Sequence, residues 1–149
     1  IHRSHLHLVV ESHDRVALAR GMQSFSISAA RQINRACGRR GAVFGARYPA
    51  TVLRTPRQVR VCIGYVLNNW RKHGEDRDRG WLLDPFSSAI AFGGWKELER
   101  RETMFRPPPM YVALFVWFPK TWLLSTGWRR HGAVSAFERR YDPRAHAPN

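Results

Sequence analysis

The chain has 149 residues, of which 44% are hydrophobic and 24% are charged, so it is long enough for one domain with a hydrophobic core and a tail. Its 25 Lys and Arg residues against 11 Asp and Glu give a formal charge of +14 and a pI near 11.4. Such a basic protein favours a polyanionic partner, and nucleic acid is the first candidate. The two cysteines, Cys37 and Cys62, have no closely spaced histidine partners, which excludes a zinc finger and a disulfide framework and favours a reducing, intracellular setting.

No apolar run in the sequence is long enough for a membrane span. The longest run, residues 110–119, falls well short of the roughly 20 residues that a transmembrane helix needs. No charged-then-apolar leader opens the chain. We therefore expect a soluble, cytoplasmic protein without a membrane partner.

The chain begins with a short apolar segment at residues 5–10, HLHLVV, which favours a β-strand. Successive strand residues point to opposite faces, so His5 and His7 share one face and can share a metal ion. The alternative is a pair of half-exposed histidines in a histidine-rich start.

A long helix is predicted next. Asp14 can cap its N-terminus and Gly38 can end it. The arginines between them lie mostly on the outer side, which is therefore basic. Apolar residues recur at spacings of four, three, four, four and three, which predicts a core-facing stripe of Leu18, Met22, Phe25, Ala29, Ile33 and Ala36.

Residues 42–44 and 51–53 are predicted as two short strands of a hairpin. The hairpin leads into the strongest helix signal of the chain, at residues 55–73, where Thr55, Pro56 and Gln58 combine an N-cap, a proline at the first helical position and a capping-box partner. Apolar residues spaced four, three and four apart predict a core-facing stripe of Val59, Ile63, Val66 and Trp70.

A polar pair stands beside this second stripe. Tyr65 and Asn69 lie four residues apart, so a phenol and an amide project together from successive turns, and His73 lies one turn further on. Polar side chains grouped beside a core stripe make a candidate functional site.

The sequence changes character after Gly74, where a charged loop follows and a domain boundary is predicted. One short helix is expected within residues 84–95, and an extended proline-rich linker at residues 106–109. Residues 111–118 favour a strand or a segment laid over the core, and residues 121–132 form a compact aromatic and basic patch. We expect two parts, residues 1–74 and a C-terminal extension at residues 75–149.

Three motifs together resemble the REP-associated tyrosine transposases and related single-tyrosine HUH transposases. They are HLHL at residues 5–8, RY followed by LRTPRQV through residue 59, and YVLNN at residues 65–69. The signature of that family is a His-hydrophobic-His motif and one tyrosine on a downstream helix. The resemblance covers roughly the first half of the chain, with WLLSTGWRRHG as a weaker match to the family's C-terminal end.

The resemblance implies an α+β, ferredoxin-like HUH domain whose antiparallel sheet carries the histidine pair. It implies that His5, His7 and Asn69 hold a divalent ion, Mg²⁺ or Mn²⁺, and that Tyr65 is the catalytic nucleophile. The phenol would attack single-stranded DNA and become linked to its 5′-phosphate, releasing a 3′-hydroxyl that later rejoins strands. Such a domain has a strand, a helix and another strand before the histidine strand, so the chain is expected to be N-terminally truncated and its sheet incomplete.

The resemblance implies that the partner is single-stranded DNA, with or without a hairpin. It places the protein in the bacterial cytoplasm, associated with the nucleoid. The family pattern leaves open whether two chains form a homodimer. Arginines would hold the strand by charge, and aromatic rings would stack on unpaired bases. These DNA-binding roles are expected at Arg47, Tyr48, Arg54, Arg57, Arg60 and Trp70.

The implied chemistry also has a physical basis. A phenol is a poor nucleophile at its free pKa, so its attack on a phosphodiester needs a metal ion to polarise the phosphate. Two imidazoles and one amide leave coordination positions open for phosphate oxygens, which suits a hard divalent ion.

Two other functions compete with this hypothesis. A basic, single-stranded nucleic-acid-binding protein without chemistry is favoured by Ser4 and Pro49, which stand where the family commonly has an asparagine and a histidine. A zinc hydrolase using His5 and His7 is disfavoured, because no carboxylate at a matching spacing completes the site.

Overall fold

The computed structural model describes residues 5–45, 48–76, 80–100, 112 and 116–138. Three α-helices are present in this part of the chain: α1 at Arg15–Ala36, α2 at Pro56–Lys72 and α3 at Trp122–Ser125. Three short 3₁₀-helices lie at Ser88–Ala91, Lys96–Arg100 and Gly127–His131. The first of these confirms the short helix expected within residues 84–95.

No β-strand or sheet occurs in the described residues, so the predicted α+β, ferredoxin-like fold is wrong. Residues 5–10, 42–44 and 51–53 were each predicted as strands and adopt none. The one β-type pairing in the described part of the chain is an isolated parallel bridge between Trp95 and Val134. Strand propensity is realised only when a neighbouring strand takes up the backbone hydrogen bonds, and these short segments have no such neighbour among the residues that the structure describes.

The chain divides into two compact units. The first takes in residues 5–9 and the described residues from 53 onward, and the second takes in residues 10–52. The boundary predicted near Gly74 falls inside the first unit. Residues 106–109, predicted as a linker, and most of residues 111–118 lie outside the described residues.

In the second unit, α1 begins and ends where its cap signals predict. The Asp14 carboxylate accepts a hydrogen bond from the Ala17 backbone N–H at 2.7 Å, and Gly38 takes a positive φ of 59° just after the helix. The predicted core-facing stripe is wrong, however, because no residue of α1 is buried and both Phe25 and Ile33 are 39% exposed. Among its described residues, this unit has no second helix or sheet that could cover the stripe.

In the first unit, α2 forms as predicted. Thr55 and Gln58 make the complete capping box, Pro56 is the first helical residue, and the helix ends at Lys72. Its buried apolar residues are Val59, Ile63, Leu67 and Trp70, so Leu67 takes the core position predicted for Val66.

The core of the first unit lies between α2 and the segments near the end of the chain. α2 packs on α3 and on the 3₁₀-helix Gly127–His131. The Trp95 indole N–H donates to the Ala89 carbonyl at 2.8 Å, while Gly94 lies so close beneath the Trp128 and Phe92 rings that a Cβ there would overlap them. The residues that complete this core are Leu83, Val134 and Ala136. The core of the first unit is therefore formed by α2 and by short 3₁₀-helices that pack on its buried face. A sheet was expected in this place.

Among the described helices, none combines the length and the apolar character that crossing a membrane requires.

Candidate functional site

The candidate site is built on α2, whose spacing carries Tyr65 and Asn69 on successive turns. The Tyr65 ring is partly buried, whereas Asn69 is 1% exposed. The neighbouring Asn68, also buried, donates from its amide to the Ser135 carbonyl at 2.9 Å. Rigid attachment to a packed helix fixes the direction in which the phenol points, which a functional side chain requires.

The histidine segment reaches this helix. The Tyr65 hydroxyl oxygen lies 3.5 Å from His7 Nε2, and the two ring centroids are 5.0 Å apart. The His5 and His7 rings meet edge to face with centroids 4.9 Å apart. The two histidines and the tyrosine therefore come together as the sequence predicts, although no strand holds the histidines.

A third histidine belongs to the same cluster. The His73 ring centroid is 5.3 Å from that of His5, and the His73 backbone N–H caps α2 by donating to the Asn69 carbonyl at 3.3 Å. The sequence indicated that His73 belongs here, because Tyr65, Asn69 and His73 follow one another at intervals of four residues along α2 to its C-cap. We call His5, His7, Tyr65 and His73 the Tyr-His cluster.

One cation lies beside the cluster. The Lys72 ammonium is 5.4 Å from the centroid of the Tyr65 ring, and its side chain is exposed. A cation over the face of a ring is attracted by the electrons of the ring. Lys72 thus adds positive charge next to the phenol.

The residues present fit a divalent ion only in part. Metal–nitrogen bonds to imidazole are about 2.1 Å long, so rings with centroids 4.9 Å apart lie close enough to share one ion. Within the described ranges, however, no three or more His, Cys, Asp or Glu side chains are arranged to hold a metal. The third ligand would be the Asn69 amide, which has the oxygen donor that a hard ion prefers.

Arg60 was predicted to bind DNA, but it holds the fold together instead. Its guanidinium pairs with both carboxylate oxygens of Glu138 at 3.0 and 2.9 Å and donates to the carbonyls of Gly132 and Ala133 at 3.2 and 2.7 Å. The Arg60 side chain is only 12% exposed. Its charge and donors are therefore committed inside the first unit.

Trp70 was predicted to stack on an unpaired base, and its burial contradicts this. The residue is 3% exposed and belongs to the core of the first unit. The Arg71 guanidinium lies 4.9 Å from its ring centroid and also forms an ion pair with Asp76 at 2.9 Å. A base cannot reach the Trp70 ring without unfolding this core.

The remaining predicted DNA contacts stay accessible where they are described. Arg54 and Arg57 are exposed at the start of α2, and Tyr48 is 45% exposed in the second unit. Arg47 lies outside the described residues. Cys62 on α2 is partly buried, and this burial raises the pKa of its thiol.

The predicted aromatic and basic patch contains residues that were not assigned a role. Trp122 is 52% exposed with the Arg130 guanidinium 5.0 Å from its ring centroid, and Phe118 just before it is 91% exposed. The sequence feature that could have indicated a role for this patch is its mixture of aromatic and basic residues without an acidic residue.

Comparison of the chain with protein-family models, with curated proteins and with solved structures gives no match.

Proposed function

We propose that the protein nicks and rejoins single-stranded DNA in a metal-dependent reaction, as a transposase or a relative of one, through a 5′-phosphotyrosine at Tyr65. The observation that carries the proposal is the 3.5 Å approach of the Tyr65 hydroxyl to His7, with His5 beside it. A phenol held next to two imidazoles is the arrangement that the motif HLHL and the motif YVLNN imply together.

In this proposal His5 and His7, with the Asn69 amide, would hold Mg²⁺ or Mn²⁺. When bound, the ion would polarise the phosphodiester and offset the charge that develops on its oxygens. His7 cannot ligate the ion and take the phenol proton through the same nitrogen. Its contact with Tyr65 therefore serves to orient the phenol beside the ion-binding pair.

The covalent step balances without a nucleotide cofactor. The Tyr65 oxygen bonds to phosphorus, the bond from phosphorus to the 3′-oxygen breaks, and the proton lost by the phenol is matched by the one gained on the 3′-hydroxyl. The reverse attack by a 3′-hydroxyl releases Tyr65 and restores the phosphodiester. The bond energy is conserved in the phosphotyrosine, so rejoining needs no further energy source.

Charge supports single-stranded DNA as the substrate. The net charge of +14 attracts a polyanion. Arg57 lies exposed on the same helix as Tyr65, and Arg54 lies exposed just before the N-cap of that helix. Arg60 and Trp70 are not proposed to contact DNA, because Arg60 is paired with Glu138 and Trp70 is buried in the core.

The test is a covalent adduct. Incubation of the protein with labelled single-stranded DNA and Mn²⁺ should give a protein–DNA band that survives denaturation, because a phosphotyrosyl bond is covalent while a charge-held complex is not. Tyr65→Phe should abolish the band while leaving DNA binding unchanged, since only one hydroxyl is lost. Tyr48→Phe is the matched control and should retain it. A band that persists in Tyr65→Phe would exclude Tyr65 as the nucleophile.

The rival function is that of a basic protein that binds single-stranded nucleic acid without cutting it. The charge of +14 favours it equally. The same assay separates the two: tight binding without any adduct in the unmodified protein would favour the rival.

A further inference from the structure

The segment at residues 117–131 has an inner side that packs on the core and an outer side that is exposed to solvent. On the inner side, Leu123 and Leu124 pack against the core and Trp128 is 2% exposed within it. On the outer side, Trp122 keeps 52% of its surface in water. We call the outer residues Trp117, Phe118, Lys120, Trp122, Arg129 and Arg130 the aromatic-basic patch.

The aromatic rings of this patch face solvent although they are large and apolar. Trp117 is 87% and Phe118 is 91% exposed. Phe118 precedes Pro119, which biases its backbone toward an extended conformation. Phe118 is four residues before Trp122, so the chain keeps their Cα atoms within about 14 Å. The two rings therefore lie within reach of bases a few nucleotides apart on one strand.

The part of the patch around α3 is anchored, so Trp122, Arg129 and Arg130 are restrained. Trp122 rests on Gly127, where a Cβ would come within 2.8 Å of the indole, and Thr121 caps α3 by accepting from the Leu124 backbone N–H at 3.4 Å. The Arg130 guanidinium lies 5.0 Å from the Trp122 ring centroid and the Arg129 guanidinium 4.8 Å from that of Trp128. Less side-chain freedom is then lost when a ligand binds.

The charge of the patch is of one sign. Residues 116–132 contain Lys120, Arg129 and Arg130 and no Asp or Glu. Single-stranded nucleic acid needs this combination, because exposed aromatic faces stack on unpaired bases while Lys and Arg bind the phosphates between them. A membrane surface would need a longer amphipathic helix than α3, which spans only Trp122–Ser125.

We infer that the aromatic-basic patch is a second contact surface for single-stranded DNA, where Phe118 and Trp122 stack on bases and Arg129 and Arg130 bind phosphates. The inference rests on the proposed function for its choice of DNA as the ligand. It adds a binding surface formed by residues of the C-terminal half, separate from the Tyr-His cluster. It also replaces the stacking role that Trp70 cannot fill.

The test is the affinity of the protein for a labelled 12-mer of thymidine, measured by fluorescence anisotropy in EDTA so that no metal-dependent step contributes. Phe118→Ala should weaken binding about 10-fold, the loss expected when one stacked base is released. Phe86→Ala is the matched control, because Phe86 is also an exposed aromatic residue, 53% exposed, and lies outside the patch. It should bind as the unmodified protein does.

The charges are tested by salt dependence. Arg129→Gln with Arg130→Gln should reduce the slope of log K against log salt by about 1.4, the loss of two phosphate contacts to a single strand. Arg39→Gln with Arg40→Gln removes the same charge from exposed residues of the second unit and should change the slope less.

Equal affinities for Phe118→Ala and the unmodified protein would overturn the inference. Weaker binding of Phe118→Ala to vesicles of anionic phospholipid, with oligonucleotide binding unchanged, would overturn it in favour of a membrane contact. An adduct at Tyr65 would still form in either case, so failure of the patch and failure of the proposed function are distinguishable.

Discussion

Tyr65 and Trp70 lie five residues apart on α2, and their surroundings give these two aromatic residues different uses. Trp70 is 3% exposed and holds the core, whereas the Tyr65 hydroxyl meets His7 at 3.5 Å. The difference is one of helix face: a step of five residues turns the side chain away from the buried stripe by more than a quarter of a turn. Of the two, only Tyr65 lies beside the histidines.

Metal binding is the property that single residues of the cluster should control. His7→Ala should weaken Mn²⁺ binding by at least about 10-fold. Loss of a side chain that only supports a ligand already costs roughly that much, and in the proposed site His7 is itself a ligand. Isothermal titration calorimetry measures this directly. His13→Ala is the control, since His13 is an exposed histidine of the second unit. Equal Mn²⁺ uptake by His7→Ala and His13→Ala would remove the proposed site.

α2 is the element on which the first unit is assembled, and Arg60 ties it to the end of the described chain. Gly64 lies one turn after Arg60, and a Cβ there would come within 3.1 Å of the guanidinium. The bare Gly64 backbone thus leaves room for Arg60 to reach Glu138 and the carbonyls of Gly132 and Ala133.

Arg60→Met should therefore destabilise the fold. Removal of this partly buried guanidinium leaves Glu138 without its ion-pair partner and two carbonyls without the donors that Arg60 supplies, at a cost of about 2 kcal/mol in the free energy of unfolding. For a chain of this length the melting temperature should fall by about 4–8 °C. Arg57→Met removes the same charge from an exposed position on α2 and should change stability by no more than about 0.5 kcal/mol. Equal melting temperatures for the two variants would contradict the role of Arg60.

A second tie joins the 3₁₀-helix Lys96–Arg100 to the same end of the chain. The Glu97 carboxylate accepts from the Ser135 hydroxyl at 2.6 Å and from the Ala136 backbone N–H at 3.0 Å. Partial burial raises the pKa of Glu97, but these hydrogen bonds and the nearby Lys96 outweigh it and leave the pKa below its ordinary value of 4.5.

The lowered pKa of Glu97 makes stability depend on pH. Because the folded state holds the carboxylate ionised, its contribution is complete above the ordinary pKa and is lost as the pH falls through the lower, folded-state value. The melting temperature should therefore fall on acidification below pH 4.5, and Glu97→Gln should show a smaller fall over that range. Thermal unfolding followed by circular dichroism at a series of pH values measures this. An equally steep fall in Glu97→Gln would assign the acid sensitivity to other groups.

The whole molecule is dominated by its charge of +14. Each phosphate that a basic side chain neutralises releases a counterion, so affinity for single-stranded DNA should fall with salt. Contact with about four phosphates would give a slope of log K against log salt of about −2.8. Titrations at several NaCl concentrations measure the slope. A slope near zero would exclude binding dominated by phosphate contacts.

Local signals in the sequence were enough for the helices and for part of the site. Thr55, Pro56 and Gln58 define the start of α2, and Asp14 defines that of α1, because capping depends on residues only three positions apart. The four-residue spacing from Tyr65 to Asn69 also follows from helix geometry alone. Those predictions needed no knowledge of the rest of the fold.

The amino-acid sequence by itself determined the charge, the bounds of α1 and α2, and the face that Tyr65 shares with Asn69. The tertiary structure alone decided that residues 5–10 form no strand and that no residue of α1 is fully buried. It also decided that Arg60 and Trp70 stabilise the fold rather than face a ligand. The physical reason is the range of the interactions. A cap or a helical spacing is satisfied by neighbours in sequence, whereas a strand, a buried ring or an ion pair such as Arg60 with Glu138 requires a partner that only the folded chain brings near.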